Sequence, residues 1–160
     1  MASLWSSEER LRRWRDVELA ALEGMVEAGV APREALEICR AKAGDFTAAD
    51  VDAIDEIEKT TRHDVIAFLT FLEARIGPQA RWLHFGMTSS DVLDTSLALL
   101  LRDAATRLID DVTQAMAAVK VRAFEHRRTV TMGRSHGIHA EPMSFGHKLA
   151  IWYDELARGK

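Results

Sequence analysis

Apolar residues return at helical spacing along most of the chain. Trp14, Val17, Ala21, Leu22 and Met25 recur three and four positions apart, behind Ser6 and Glu9 placed as a capping box, and predict a helix that ends near Gly29. Pro32 then stands where a first helical residue belongs, ahead of Ala35, Leu36, Ile38 and Cys39, with Gly44 as the expected C-terminal cap. Thr47 and Asp50 open a third apolar stripe, Val51, Ile54 and Ile57, which runs toward the polar segment Thr60-Thr61-Arg62-His63-Asp64. A fourth stripe, Val65, Phe68, Leu69, Leu72 and Ile76, stops at Gly77-Pro78. The stretch RWLHFGMTSSD that follows has neither strict alternation nor a helical stripe and is expected to be a structured loop.

From Asp91 to about His126 the sequence contains no proline or glycine, and Leu97, Leu101, Ala104, Leu108, Val112, Met116 and Val119 keep near-helical spacing. One unbroken helix follows, about 50 Å long at about 1.5 Å per residue. Leu93, Leu97, Leu99, Leu100 and Leu101 place apolar groups on several of its sides, the pattern of a helix buried in a bundle. The glycine-rich TVTMGRSHGIHAEP comes next, then a last amphipathic stretch through Phe145, Leu149, Trp152 and Leu156. There is no repeat and no convincing run of strands, so the predicted class is all-α. An N-terminal helical domain over 1–88 is followed by the first part of a long-helix bundle domain over 89–160.

Composition narrows the function. The chain of 160 residues carries a formal charge of −4, with no basic excess to suit nucleic acid. No apolar run approaches the roughly 20 residues that span a bilayer, and the charged N-terminus lacks the apolar region of a signal peptide. Cys39 is the single cysteine, which excludes an internal disulfide and a cysteine-based zinc cluster and makes the cytoplasm the default. Cys39, Trp5, Trp14 and Trp152 are expected to pack in the core.

The candidate chemistry falls in the segments without a stripe. His63, His84, His136 and His139 each lie beside Gly, Thr, Ser or Arg, where an imidazole serves either acid–base chemistry or plain hydrogen bonding. Thr88-Ser89-Ser90-Asp91 directly precedes the long helix; its hydroxyls suit either a cap or an anion site for a carboxylate. Asp91 and Asp94 oppose an anion and are assigned to capping or to orienting neighbours, and Gly86 fits a turn or a close backbone approach. Ser135 beside His136 lacks the surroundings of a hydrolase nucleophile. The HxxH spacing of His136 and His139 falls beside glycines rather than on a helix face, which argues against zinc. Arg134 and the Lys120, Arg122, Arg127, Arg128 cluster fit either an anion or a solvated helix end.

Three segments taken together, TRHDVIAFL at 61–69, HFGMTSSDVLDT at 84–95 and TMGRSHGIHAEPMSFG at 131–146, resemble the adenylosuccinate lyase family of the fumarase/aspartase superfamily. The resemblance covers essentially the whole chain. It implies a homotetramer with long helices packed in a common bundle, active sites assembled from three subunits, and elimination of fumarate from adenylosuccinate and from succinylaminoimidazole carboxamide ribotide (SAICAR). No cofactor or metal is implied. His136 matches the histidine taken as the general acid, and His63 joins it in the catalytic pair. His63 and His84 match residues near the succinyl and phosphate groups, and Thr88 and Ser89 match hydroxyls that hold a substrate carboxylate. Arg62 and Asp64 flank His63 in the same motif, and Ser135 stands where the family more often has threonine, with the hydroxyl preserved.

Two family features are expected outside the sequence: the loop of pattern GSSxMPxKxNP, which carries the proton-abstracting serine, and a short Arg-Tyr segment ahead of Met1. An N-terminal portion, inactive alone, is the expectation. Argininosuccinate lyase, aspartase and the carboxymuconate cycloisomerase are the nearest alternatives. A non-catalytic helical assembly module is the alternative from another class, and a histidine-based metal protein is a third.

Overall fold

Side chains that occupy the free N–H groups of a first turn set where several of the helices begin. In a computed structural model describing residues 1–160, Ser6 accepts the Glu9 N–H at 3.2 Å ahead of α1 (Ser7–Glu27). Thr47 and Asp50 form a complete capping box ahead of α3 (Ala48–Thr61). The His63 ring takes the same position ahead of α4 (Asp64–Ile76), its Nδ1 3.5 Å from the Ile66 N–H. Before α2 (Arg33–Ala43), Pro32 is the cap residue and not the first helical one, because its ψ of 141° is extended. Gly44 and Gly77 end α2 and α4 with φ of 62° and 92°. A short 3₁₀ helix, Pro78–Trp82, then leads to a turn and to α5 (Ser89–Glu125), the unbroken helix expected from the absence of breakers.

The chain divides into two compact units, Met1–Ala104 and Ala105–Lys160, and α5 contributes to both. The first holds the main core. Leu11, Trp14 and Leu22 of α1, Leu36 and Cys39 of α2, Ile54 of α3, and Val65, Phe68, Leu72 and Ile76 of α4 are buried together with Val92 of α5. Trp14 meets Phe68 edge-on, with ring centroids 5.5 Å apart, and Phe46 packs on the same ring at 5.8 Å. Arg75 ties α2, α3 and the segment between them to α4. Its guanidinium lies 4.6 Å from the Phe71 ring centroid, donates to the carbonyls of Ala43 and Asp45, and pairs with Asp50 at 2.6 Å.

The fold is mostly helical, as the sequence predicts, and the second unit adds one hairpin to it. β1 (Val130–Ser135) and β2 (Ile138–Ser144) form an antiparallel hairpin, followed by α6 (Phe145–Gly159). Two residues make its turn, His136 and Gly137, both with positive φ (51° and 75°), the backbone signature of a type I′ turn. A register shift between Met132 and Arg134 places a bulge at Gly133, where a Cβ would stand 2.9 Å from the Glu141 carbonyl oxygen. The strands were hidden in the sequence because that bulge breaks the alternation and the turn is His-Gly rather than Asn-Gly.

Two of the three tryptophans expected in the core are elsewhere. Trp14 is buried, but Trp5 precedes α1 on a 3₁₀ turn and Trp152 stands on α6, and both are about half exposed. Along α5, Leu100 is buried and Leu93 half-buried, while Leu97, Leu101, Leu108, Ile109, Val121 and Phe124 remain exposed. No helix is long and apolar enough to cross a membrane.

Candidate active site

Two helix starts converge in the first unit. The linker Arg62-His63-Asp64 turns the chain from α3 into α4: Arg62 takes φ of 54°, and its Nε donates to the Lys59 carbonyl at 3.1 Å. His63 then caps α4, and Asp64 accepts the Val65 N–H at 2.7 Å. The Nε2 of His63 lies 3.3 Å from the Oγ of Ser89, the first residue of α5. His63 and Ser89 are thus brought together, with Asp64 and Thr88 as their chain neighbours. The other ring nitrogen, Nδ1, has Asp64 Oδ1 at 3.3 Å and the Ile66 N–H at 3.5 Å. A proton on Nδ1 pairs the ring with Asp64, and its absence frees the lone pair for Ile66.

At α5 the acid does the capping. The Thr88 N–H donates to Asp91 Oδ2 at 2.8 Å, as expected for Asp91, and this leaves the Thr88 hydroxyl exposed and uncommitted at the positive end of a 37-residue helix. Gly86 serves the preceding turn with φ of 74°. Oriented N–H donors beside two hydroxyls and an imidazole form a natural seat for a carboxylate.

His84 reaches this turn in an unusual way. Its φ is 60°, its backbone N–H donates to Glu18 Oε2 at 2.6 Å, and its ring Nδ1 lies 2.7 Å from Glu18 Oε1. Glu18 is fully buried in α1. Burial raises its carboxyl above the ordinary carboxylate range, against the opposing hydrogen bonds and charge of His84. Glu18 is not among the candidates that stand out in the sequence, although it carries a signal there. Leu11, Trp14 and Leu22 define the buried stripe of α1, and position 18 continues it, so a carboxylate there needs a partner inside the protein.

Ser135 and His136 belong to the second unit, at the end of β1 and in the hairpin turn, both exposed; Arg134 beside them is exposed as well. No group of three or more His, Cys, Asp or Glu side chains is arranged to hold a metal ion. A cleft of about 360 Å³ in the first unit is lined by Trp5, Arg10, Trp14, Asp64 and Leu97 among others. Asp64 is its one link to the helix starts, since none of His63, His84, Thr88 and Ser89 lines it.

A family model described as "Lyase" matches residues 2–160. Adenylosuccinate lyase of Bacillus subtilis (strain 168) is 43% identical over 158 residues, which cover 99% of this chain and 36% of that protein. Adenylosuccinate lyase of Aquifex aeolicus (strain VF5) is 42% identical over 163 residues, with 100% and 36% covered. Among solved structures, fumarate lyase from Mesorhizobium sp. BNC1 superposes with a TM-score of 0.88 at 26% identity, covering 98% of this chain and 37% of that one. The β-carboxy-cis,cis-muconate cycloisomerase of Acinetobacter calcoaceticus sp. ADP1 gives 0.87 at 28% identity, with 98% and 38% covered. The chain thus spans 36% of the length of these curated relatives. By the match over residues 2–160 and by these relatives, the chain belongs to the lyase family of the fumarase/aspartase superfamily, in its adenylosuccinate lyase branch.

Proposed function

We propose that this chain forms part of an adenylosuccinate lyase, which eliminates fumarate from adenylosuccinate to give AMP and from SAICAR to give the corresponding carboxamide ribotide. The observation that carries this is the meeting of the α4 and α5 N-termini through His63 and Ser89, in a chain 43% identical to an adenylosuccinate lyase. β-Elimination removes a weakly acidic proton next to a carboxylate, builds negative charge on that carboxylate, and expels the purine nitrogen as it gains a proton. No cofactor or metal is required. Thr88 and Ser89 at the start of α5 hold the carboxylate on which charge develops, where helix N–H groups and hydroxyls act as donors. His136 is the general acid for the leaving nitrogen, a role imidazolium performs near neutral pH. His63 is the second catalytic residue, His84 binds an anionic part of the substrate, and Arg62, Asp64 and Ser135 complete the substrate-binding residues.

The proton-abstracting base is not assigned to any residue of this sequence, which lacks the family's GSSxMPxKxNP loop. Turnover is therefore proposed for the intact protein and not for the 160 residues by themselves. Assembly as a homotetramer with shared active sites is supported by the apolar side chains left exposed along α5, among them Leu97, Leu101, Leu108 and Phe124. The cytoplasm is the proposed compartment.

Fumarate release tests this directly, with adenylosuccinate, SAICAR, argininosuccinate and aspartate each offered to the intact protein and to the 160 residues alone. Release from the two purine substrates by the intact protein alone is the expected result. Release from argininosuccinate or aspartate in their place assigns a different member of the superfamily. Turnover by the 160 residues alone places the base among them.

A further inference from the structure

We propose that Glu18 is a positioning residue for His84: its buried carboxylate holds both the ring Nδ1 and the backbone N–H of His84, leaving Nε2 as the ring atom presented to an anionic substrate oxygen. The proposal rests on the placement of His84 in the substrate site.

Three observations support it. Both oxygens of one carboxylate are engaged by a single residue 66 positions away, at 2.6 and 2.7 Å, so backbone and ring are fixed together. The backbone bond also fastens His84 in a left-handed conformation, φ 60°, that side chains with a Cβ rarely adopt. Glu18 is fully buried, whereas an apolar residue at that position would extend the stripe of Leu11, Trp14 and Leu22 without taking a polar group out of water. What the carboxylate adds in exchange is the orientation of His84.

The remaining nitrogen follows by elimination. Whichever atom carries it, a proton lies between Nδ1 and Glu18 Oε1, so Nδ1 is closed to any other partner, and Nε2 meets an anionic oxygen as a donor either with that shared proton held on Glu18 or with the ring protonated at both nitrogens. Nε2 makes no hydrogen bond within the chain, and the His84 side chain keeps 16% of its surface exposed. A ring tied at one nitrogen and open at the other is the arrangement that a supporting carboxylate imposes on a functional histidine.

Proton NMR of the folded, ¹⁵N-labelled protein tests the contact. A strongly hydrogen-bonded proton resonance downfield of the amides, carried by His84 Nδ1 or by Glu18 Oε1, is expected in the wild type and is lost in Glu18→Gln, while the other histidine signals stay in place. Absence of that resonance from the wild type overturns the proposal, and this arm needs no variant to fold. Steady-state kinetics of the intact enzyme test the consequence. Glu18→Gln is expected to raise KM about tenfold, the effect of about one lost charge-assisted hydrogen bond, with a smaller change in kcat. If His84→Asn raises KM and folded Glu18→Gln does not, positioning by Glu18 is overturned while His84 keeps its place in the site. If neither variant changes KM, the placement of His84 in the substrate site fails, and the role of Glu18 fails with it.

Discussion

His63 Nε2 and Ser89 Oγ stand 3.3 Å apart, so the residue that caps α4 also touches the first residue of α5. Two roles thus share one side chain, and substitution separates them. Asparagine is a strong N-cap but has no imidazole. His63→Asn is expected to change unfolding free energy by less than about 0.5 kcal/mol, and His63→Ala to cost about 1 kcal/mol. Both should lower kcat of the intact enzyme by about a hundredfold or more if the ring takes part in proton transfer. Denaturant unfolding beside fumarate-release kinetics checks this; a stable His63→Asn enzyme with normal turnover confines His63 to capping.

At the hairpin, His136 and Gly137 both carry positive φ, so a change at either position disturbs the turn as well as any chemistry. Asparagine tolerates the left-handed region better than alanine does. His136→Asn is expected to keep the hairpin, with the Val130–Ser144 pairing intact in amide exchange, and to lower kcat by about 10² to 10⁴ as a lost general acid does. Gly137→Ala is expected to do the reverse, straining the turn by about 1 kcal/mol while leaving the imidazole present. Turnover retained by His136→Asn removes the acid assignment.

The helices were legible because their signals are local. Thr47 with Asp50 announces α3, Gly44 and Gly77 announce the ends of α2 and α4, and the absence of breakers announces α5. The hairpin was not legible, since the bulge at Gly133 shifts the alternation that marks a strand. Trp5 and Trp152 were misplaced because helical spacing gives the face of a residue but not whether anything covers that face. For the site, the histidines and hydroxyls stand out by type, and the roles proposed for them rest on the family resemblance. The contact of His63 with Ser89 and the hold of Glu18 on His84 join positions 26 and 66 residues apart, a relation that only the folded chain reveals.

Asp50 links capping to acid stability. Burial acts against its charge, yet the Thr47 N–H and hydroxyl and the Arg75 guanidinium outweigh that and hold its carboxyl below the ordinary range. A carboxyl depressed by folding stabilises the protein above its unfolded value, about 3.9, and that contribution is lost as pH falls through the lower folded value. Asp50→Asn is therefore expected to lose about 1 kcal/mol at neutral pH and to lose less than the wild type on acidification to about pH 3. Urea unfolding of both proteins at the two pH values measures the difference. Equal losses on acidification would show that other carboxylates carry the acid sensitivity.

Gly146 and Gly24 show how the same substitution changes sign with its surroundings. Gly146 is buried at the start of α6, where its N–H donates to the His126 carbonyl at 2.9 Å. A Cβ there would press on the Ala123 carbonyl oxygen and stand 2.7 Å from the Arg127 N and Cα. These are backbone atoms, and the end of α5 has to move to admit the methyl group. Gly146→Ala is expected to cost about 1–3 kcal/mol, the usual range for overpacking. Gly24 lies within α1 with nothing inside 4 Å of its Cβ position and no positive φ. There the methyl group only restricts the unfolded chain, and Gly24→Ala is expected to stabilise by about 0.5–1 kcal/mol. Denaturation midpoints of the two variants against the wild type decide the matter, since a Gly146→Ala protein as stable as the wild type would mean that α6 does not rest against α5 through this contact.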